Sequence, residues 1–140
     1  MKFEGIEKLS EKQVLQLHQL YQKEGWTKGR ALGDVRKMLN HTDYIFAFQE
    51  KELKSLPAFA RVITDWVFNA LILDVIVAPA YRNRGLGTQL MELIIQHPQL
   101  RQVKHFELLC LPELIPFYTR LGFSTDMGGA VSMRRKNLKS

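Results

Sequence analysis

The chain has 140 residues, 46% hydrophobic and 24% charged, which fits one soluble globular domain, 1–140, and excludes fibrous and disordered classes. A single cysteine excludes an internal disulfide, and no apolar stretch is long enough to cross a bilayer; Met1–Leu9 lacks the core of a secretion signal, so the cytoplasm is expected. The net charge of +6 favours an anionic partner, yet no aromatic-interleaved basic stripe accompanies it, which disfavours nucleic acid.

Alternation over Phe3–Lys8 predicts a short first strand. Ser10 followed by Gln13 has capping-box spacing, and Val14, Leu17, Leu20 and Tyr21 fall on one face of a helix that ends before Gly25. Leu32, Val35, Met38 and Leu39 mark a second short helix. Strands are expected at Tyr44–Gln49, Ala58–Thr64 and Ala70–Val77, the last apolar enough for the middle of a sheet. Pro79 stops that strand, and Leu86, Leu90, Leu93 and Ile94 form a helical stripe ended by Pro98. A strand over Lys104–Leu111, a helix over Pro112–Leu121 stopped by Gly122, and a closing strand over Val131–Arg135 complete the order β-α-α-β-β-β-α-β-α-β(β). The fold class is α/β, with a right-handed parallel crossover between Ala70 and Leu111.

One segment carries chemistry. A strand runs into Arg82-Asn83-Arg84-Gly85-Leu86-Gly87-Thr88 and then a helix. The first turn of a helix has unpaired N–H groups and the positive end of the peptide dipoles, and glycine lets an anion approach the backbone. Arg82 and Arg84 add positive charge, so the parts of a pyrophosphate cradle are present. A dinucleotide fingerprint would need a third glycine where Leu90 stands, and a P-loop would need Gly-Lys-Ser/Thr.

Arg82-x-x-Gly85-x-Gly87, with Asp74–Tyr81 leading into it, resembles the acyl-CoA signature of the GNAT acetyltransferases. Pro116-Phe117-Tyr118-Thr119-Arg120-Leu121-Gly122-Phe123 resembles a later helix of that family, and Phe59–Asp74 is similar to its plant and bacterial serotonin-type branch. The resemblance implies a single domain with a mixed, mostly antiparallel sheet split near its centre by the coenzyme. It implies acetyl-CoA as co-substrate, its pantetheine arm on the backbone of Val75, Ile76 and Val77. The N–H groups from Asn83 to Thr88 would hold the pyrophosphate. It implies direct attack of an amine on the thioester, with Tyr118 protonating the departing thiolate. The Asn that many relatives carry before that helix has no counterpart in Cys110-Leu111-Pro112-Glu113.

Asp74, a carboxylate in an apolar strand, is expected either to act as base or amine anchor or to pair with Arg61 or another basic residue on a neighbouring strand. Glu107 and Glu113 are weaker base candidates. Trp26 and Arg30, between the first two helices, are candidates for contact with the acceptor and would suit an aromatic or anionic one. His18, His41, His97 and His105 lack metal-ligand spacing, so no metal is expected. The expected function is acetyl transfer to a small-molecule primary amine, with no nucleic-acid or membrane partner. A non-catalytic acyl-CoA sensor and a peptide or protein N-acetyltransferase are the alternatives. Homodimers are common in the resembling family, and the sequence does not fix the oligomeric state.

Overall fold

The computed structural model describes residues 2–137. The chain divides into two compact units, Met1–Leu109 and Cys110–Ser140. The first contains β1 (Phe3–Ile6), α1 (Glu11–Gln22), α2 (Leu32–Asn40), β2 (Tyr44–Glu50), β3 (Ala58–Thr64), β4 (Asn69–Val77), α3 (Leu86–Ile95) and β5 (His105–Leu108). Its sheet has the order β1-β2-β3-β4-β5, antiparallel except for the parallel β4–β5 pair. This is the expected α/β class, and the expected parallel crossover through α3.

Local sequence rules account for much of it. The Ser10 hydroxyl accepts the Gln13 N–H and the Gln13 side chain accepts the Ser10 N–H, so the capping box starts α1 as expected. Gln13 is buried, and its amide donates to Gln49 and to the Lys54 carbonyl, tying the helix start to β2 and the following turn. Strand alternation then sorts the core. Ala47 and Phe59 pack with Leu17, Leu20, Tyr21 and Val35 of the first two helices. On the opposite face, Phe46, Ala60, Val62 and Ile72 are buried where α3 crosses β2, β3 and β4 with Leu86, Leu90, Met91 and Ile94.

In β4 the pairing slips. Phe59 lies opposite Ile76 and Arg61 opposite Leu73, so Asp74 and Val75 together face Ala60 across a β-bulge. Asp74 takes φ = 55°, a left-handed conformation that aspartate tolerates better than most residues. The β4–β5 ladder covers only Asn69–Ile72, so within this unit Leu73–Val77 has no strand beside it on the edge away from β3.

The second unit contains a 3-10 turn at Pro112–Leu114 and α4 (Ile115–Thr119). The predicted helix over Pro112–Leu121 is therefore shorter and begins as a 3-10 turn, with Pro116 withholding an N–H from its first turn. Gly122, at φ = 94°, closes α4 as expected: Phe123 N–H bonds to the Tyr118 carbonyl and Gly122 N–H to that of Thr119. The closing strand expected over Val131–Arg135 is not formed. Alternation there is real, but a strand requires a partner ladder, and Val131 and Met133 are 83% and 93% exposed.

Candidate active site

β4 leads through a 3-10 turn at Pro79–Tyr81 to α3. Asn83 (φ 64°) and Gly85 (φ 78°) both take left-handed conformations, which turn the chain sharply into the helix. Gly85 is the N-cap residue; no side chain caps α3 and its first turn has no acidic residue. The first ladder bond runs from Gln89 N–H to the Gly85 carbonyl, leaving the N–H groups of Leu86, Gly87 and Thr88 outside the ladder. In α1 one of the corresponding groups, the Gln13 N–H, is capped by Ser10, whereas no side chain caps α3, and its open first turn suits an anion.

The two arginines differ from the expectation of two free charges. Arg82 donates from Nε to the Val77 carbonyl at 3.1 Å and pairs with Glu24 at 2.9 Å. It braces the end of β4 to the α1–α2 connection. Arg84 lies over the Tyr81 ring, 5.6 Å from its centroid, and is exposed.

Gly85 and Gly87 also separate. Only Gly85 holds a left-handed φ, where any side chain costs about 1–2 kcal/mol. Gly87 lies in ordinary helix, so valine there meets no left-handed backbone strain and places a branched side chain beside the open N–H groups. The expected result is that Gly87→Val keeps its melting temperature but loses the stabilisation that CoA confers. Unchanged CoA affinity in the folded variant would remove the cradle from this turn.

Asp74 is the centre of a polar cluster under α1. Its Oδ2 accepts hydrogen bonds from Tyr21 Oη (2.9 Å), Arg30 Nη1 (2.8 Å) and Arg61 Nε (2.7 Å), and its Oδ1 accepts from Arg30 Nη2 (3.3 Å). The carboxylate side chain is 4% exposed. Burial pushes its pKa up, but the hydrogen bonds and charges of Arg30 and Arg61 overcome that and hold it below the ordinary aspartate value. A carboxylate so engaged is a poor proton acceptor. The geometry speaks against Asp74 as base or amine anchor and for its partnership with Arg61.

Arg30 was expected at the acceptor; it is partly exposed, stacks 4.7 Å over the Tyr21 ring and is anchored by Asp74. Trp26, in the same connection, is 52% exposed. The polar partnerships of Tyr21 and Glu24 escaped the sequence reading, which placed Tyr21 only on the apolar face of the first helix. Tyr21 had a signal: a wholly buried tyrosine on an apolar helix stripe needs a partner for its hydroxyl. Glu24, paired with a residue 58 positions away, had none.

In the second unit, Tyr118 is buried, with Phe117 and Phe123 edge-on to its ring at 4.9 and 5.9 Å. Burial, with Cys110 as a lesser influence, pushes its hydroxyl pKa up to about 12. Glu107 is partly buried on β5, and Glu113 is exposed in the turn before α4. Among the described residues no cluster of three or more His, Cys, Asp or Glu is placed to hold a metal, and no helix is long and apolar enough to cross a membrane.

The model of the acetyltransferase (GNAT) family matches residues 11–123. The chain belongs to the GNAT acetyltransferase family. It is 33% identical over 118 residues to the chloroplastic GCN5-related N-acetyltransferase 1 of Arabidopsis thaliana, covering 84% of this chain and 59% of that protein. It is also 33% identical over 95 residues to the chloroplastic serotonin N-acetyltransferase 2 of rice, covering 66% of this chain and 47% of that protein. The chain thus spans about half the length of these relatives. The crystal structure of a protein assigned to the GNAT family in Xanthomonas campestris superposes with a TM-score of 0.81 at 27% identity, covering 96% of this chain and 94% of that one.

Proposed function

We propose that this chain transfers an acetyl group from acetyl-CoA to the primary amine of a small molecule, both units forming one acetyltransferase domain. The observation that carries the reading is the uncapped start of α3, placed after the stretch Leu73–Val77 of β4, which among the described residues of the first unit has no strand beside it on the edge away from β3. When bound, acetyl-CoA supplies the acyl group as a thioester. Val75, Ile76 and Val77 offer backbone N–H and C=O groups to its pantetheine amides, and the turn from Arg82 to Thr88, through Asn83, Arg84, Gly85, Leu86 and Gly87, holds the pyrophosphate. Among the described residues Arg84 makes no ion pair and lies over the Tyr81 ring, while Arg82 must exchange or share Glu24. Tyr118 holds a proton for the leaving sulfur. Asp74 acts by position, fixing Arg30 and Arg61 and the bulge. Trp26 and Arg30 border the acceptor.

CoA and acetyl-CoA are expected to raise the melting temperature, and NAD is not. At a ligand concentration about a hundred times Kd, linkage stabilises by about 2.7 kcal/mol. For a domain of this size that is a rise on the order of 5–10 °C. Equal shifts with NAD, or none with either form of CoA, would end the acyl-CoA reading. The proposed compartment is the cytoplasm, whereas the Arabidopsis and rice relatives are named as chloroplastic; imaging of the tagged full-length chain decides between the two.

A further inference from the structure

The cluster around Asp74 contains two guanidinium groups and one carboxylate. Arg61 spends only its Nε on Asp74; among the described residues its Nη1 and Nη2 atoms make no hydrogen bond or ion pair, although the side chain is only 12% exposed. Arg30 spends both terminal nitrogens on the same carboxylate. Tyr21 adds a neutral hydroxyl, burial and then Asp74 having raised its pKa well above the ordinary value. Glu24, the nearest carboxylate along the α1–α2 connection, is bound to Arg82. The cluster therefore carries one uncompensated positive charge in a largely desolvated place, where an anion is worth more than at the surface.

Its position gives that charge a use. Asp74 and Val75 form the bulge that begins the β4 edge assigned above to the pantetheine arm, so Arg61 and Arg30 stand beside the place where an acceptor amine must arrive. The sheet face they occupy continues, by register, through Leu73 opposite Arg61 and the Ile63–Leu71 pair. The helices leave that part uncovered: Ile63 is 41% and Leu71 38% exposed.

We propose that the acceptor is a primary amine bearing one carboxylate, which binds to the free Nη groups of Arg61 with support from Arg30 while its apolar body lies over Leu73, Leu71 and Ile63. A single surplus charge matches a carboxylate better than a dianionic phosphate. The inference rests on the acetyl-transfer reading and deepens it.

The test compares matched amines that differ only in the carboxylate, 6-aminohexanoate with hexylamine and phenylalanine with phenethylamine. Acetylation rates and calorimetric binding to the CoA-saturated protein are both measured. The carboxylate-bearing member of at least one pair should bind and react about tenfold better or more, as expected for a charge-assisted hydrogen bond. In Arg61→Met, which leaves Asp74 paired with Arg30, that ratio should collapse toward one through KM while the CoA-induced melting shift persists. Arg30→Met should reduce the ratio less, and serves if the first variant does not fold. Ratios near one in the parent overturn the carboxylate assignment alone. A preference that survives in the folded Arg61→Met protein moves the anion site elsewhere and overturns it too. Preferential binding of the carboxylate member without acetylation of any amine upholds the anion site and instead counts against acetyl transfer.

Discussion

Tyr118→Phe is expected to lower kcat by at least tenfold with little change in acetyl-CoA affinity. As an amine attacks the thioester, negative charge leaves on sulfur, and a phenol held there supplies a proton or a hydrogen bond. Such general-acid help is worth about 10²–10⁴-fold in rate, or roughly 3–5 kcal/mol of barrier. The Tyr118 ring is packed edge-on against Phe117 and Phe123, and the hydroxyl makes no hydrogen bond among the described residues. Removing the oxygen therefore leaves the packing intact, and stability should hardly move. The raised pKa adds a second expectation. Burial keeps the hydroxyl protonated until the pH nears about 12, so the parent should show no loss of rate from tyrosine ionisation between neutral and moderately alkaline pH. Single-turnover rates, where product release cannot mask chemistry, make the comparison. A Tyr118→Phe protein as fast as its parent would remove this residue as the acid.

Asp74→Asn is expected to destabilise the fold strongly. The substitution keeps shape and tolerates the left-handed φ of 55°, so backbone strain does not enter. It removes the one carboxylate between Arg30 and Arg61 and leaves two guanidinium groups facing each other beneath α1. Breaking a buried pair in this way costs about 3–5 kcal/mol, which corresponds to a fall in melting temperature of roughly 10–15 °C for a domain of this length. The pH dependence has a definite sign. The folded pKa of Asp74 lies below its ordinary value of 3.8, so its contribution is complete above that value and is lost as the pH falls through it toward the folded pKa. The parent should lose stability in that acid range, and the variant should lack that part of the loss. Adding Arg61→Met to Asp74→Asn should restore part of the stability, because it takes away the uncompensated charge. Melting curves of the single and double variants at neutral and acid pH check all three. A single variant as stable as the parent would show that the cluster contributes nothing to the fold.

What was legible in the sequence was local. Ser10 and Gln13 are one helical turn apart, so their reciprocal bonds could be read directly, as could the stop at Gly122. The start of α3 was legible for the same reason, since Pro79, Gly85 and Gly87 punctuate the chain within nine residues. Pairing between distant segments was not legible. Val131–Arg135 alternates like a strand, but alternation does not supply a ladder. The predicted strand over Lys104–Leu111 forms only at His105–Leu108, because its register with β4 ends at Ile72. The bulge at Asp74 was hidden because a left-handed aspartate in an apolar run reads as continuous strand. Its partnership with Arg61 was anticipated as one of two roles, while Tyr21 and Glu24 needed the packed helices to bring them to Asp74 and Arg82.

Acetyl transfer to an amine, the reaction proposed for this chain, is read at the acceptor by mass spectrometry. The protein is incubated with acetyl-CoA deuterated in the acetyl group and a panel of amines, amino acids, polyamines and peptides. The expected product is a small amine, best among those carrying a carboxylate, that has gained one deuterated acetyl group on nitrogen in step with release of free CoA thiol. Tight CoA binding with no labelled product from any acceptor would contradict it and favour a non-catalytic sensor. Label found only on peptides would contradict the small-molecule assignment.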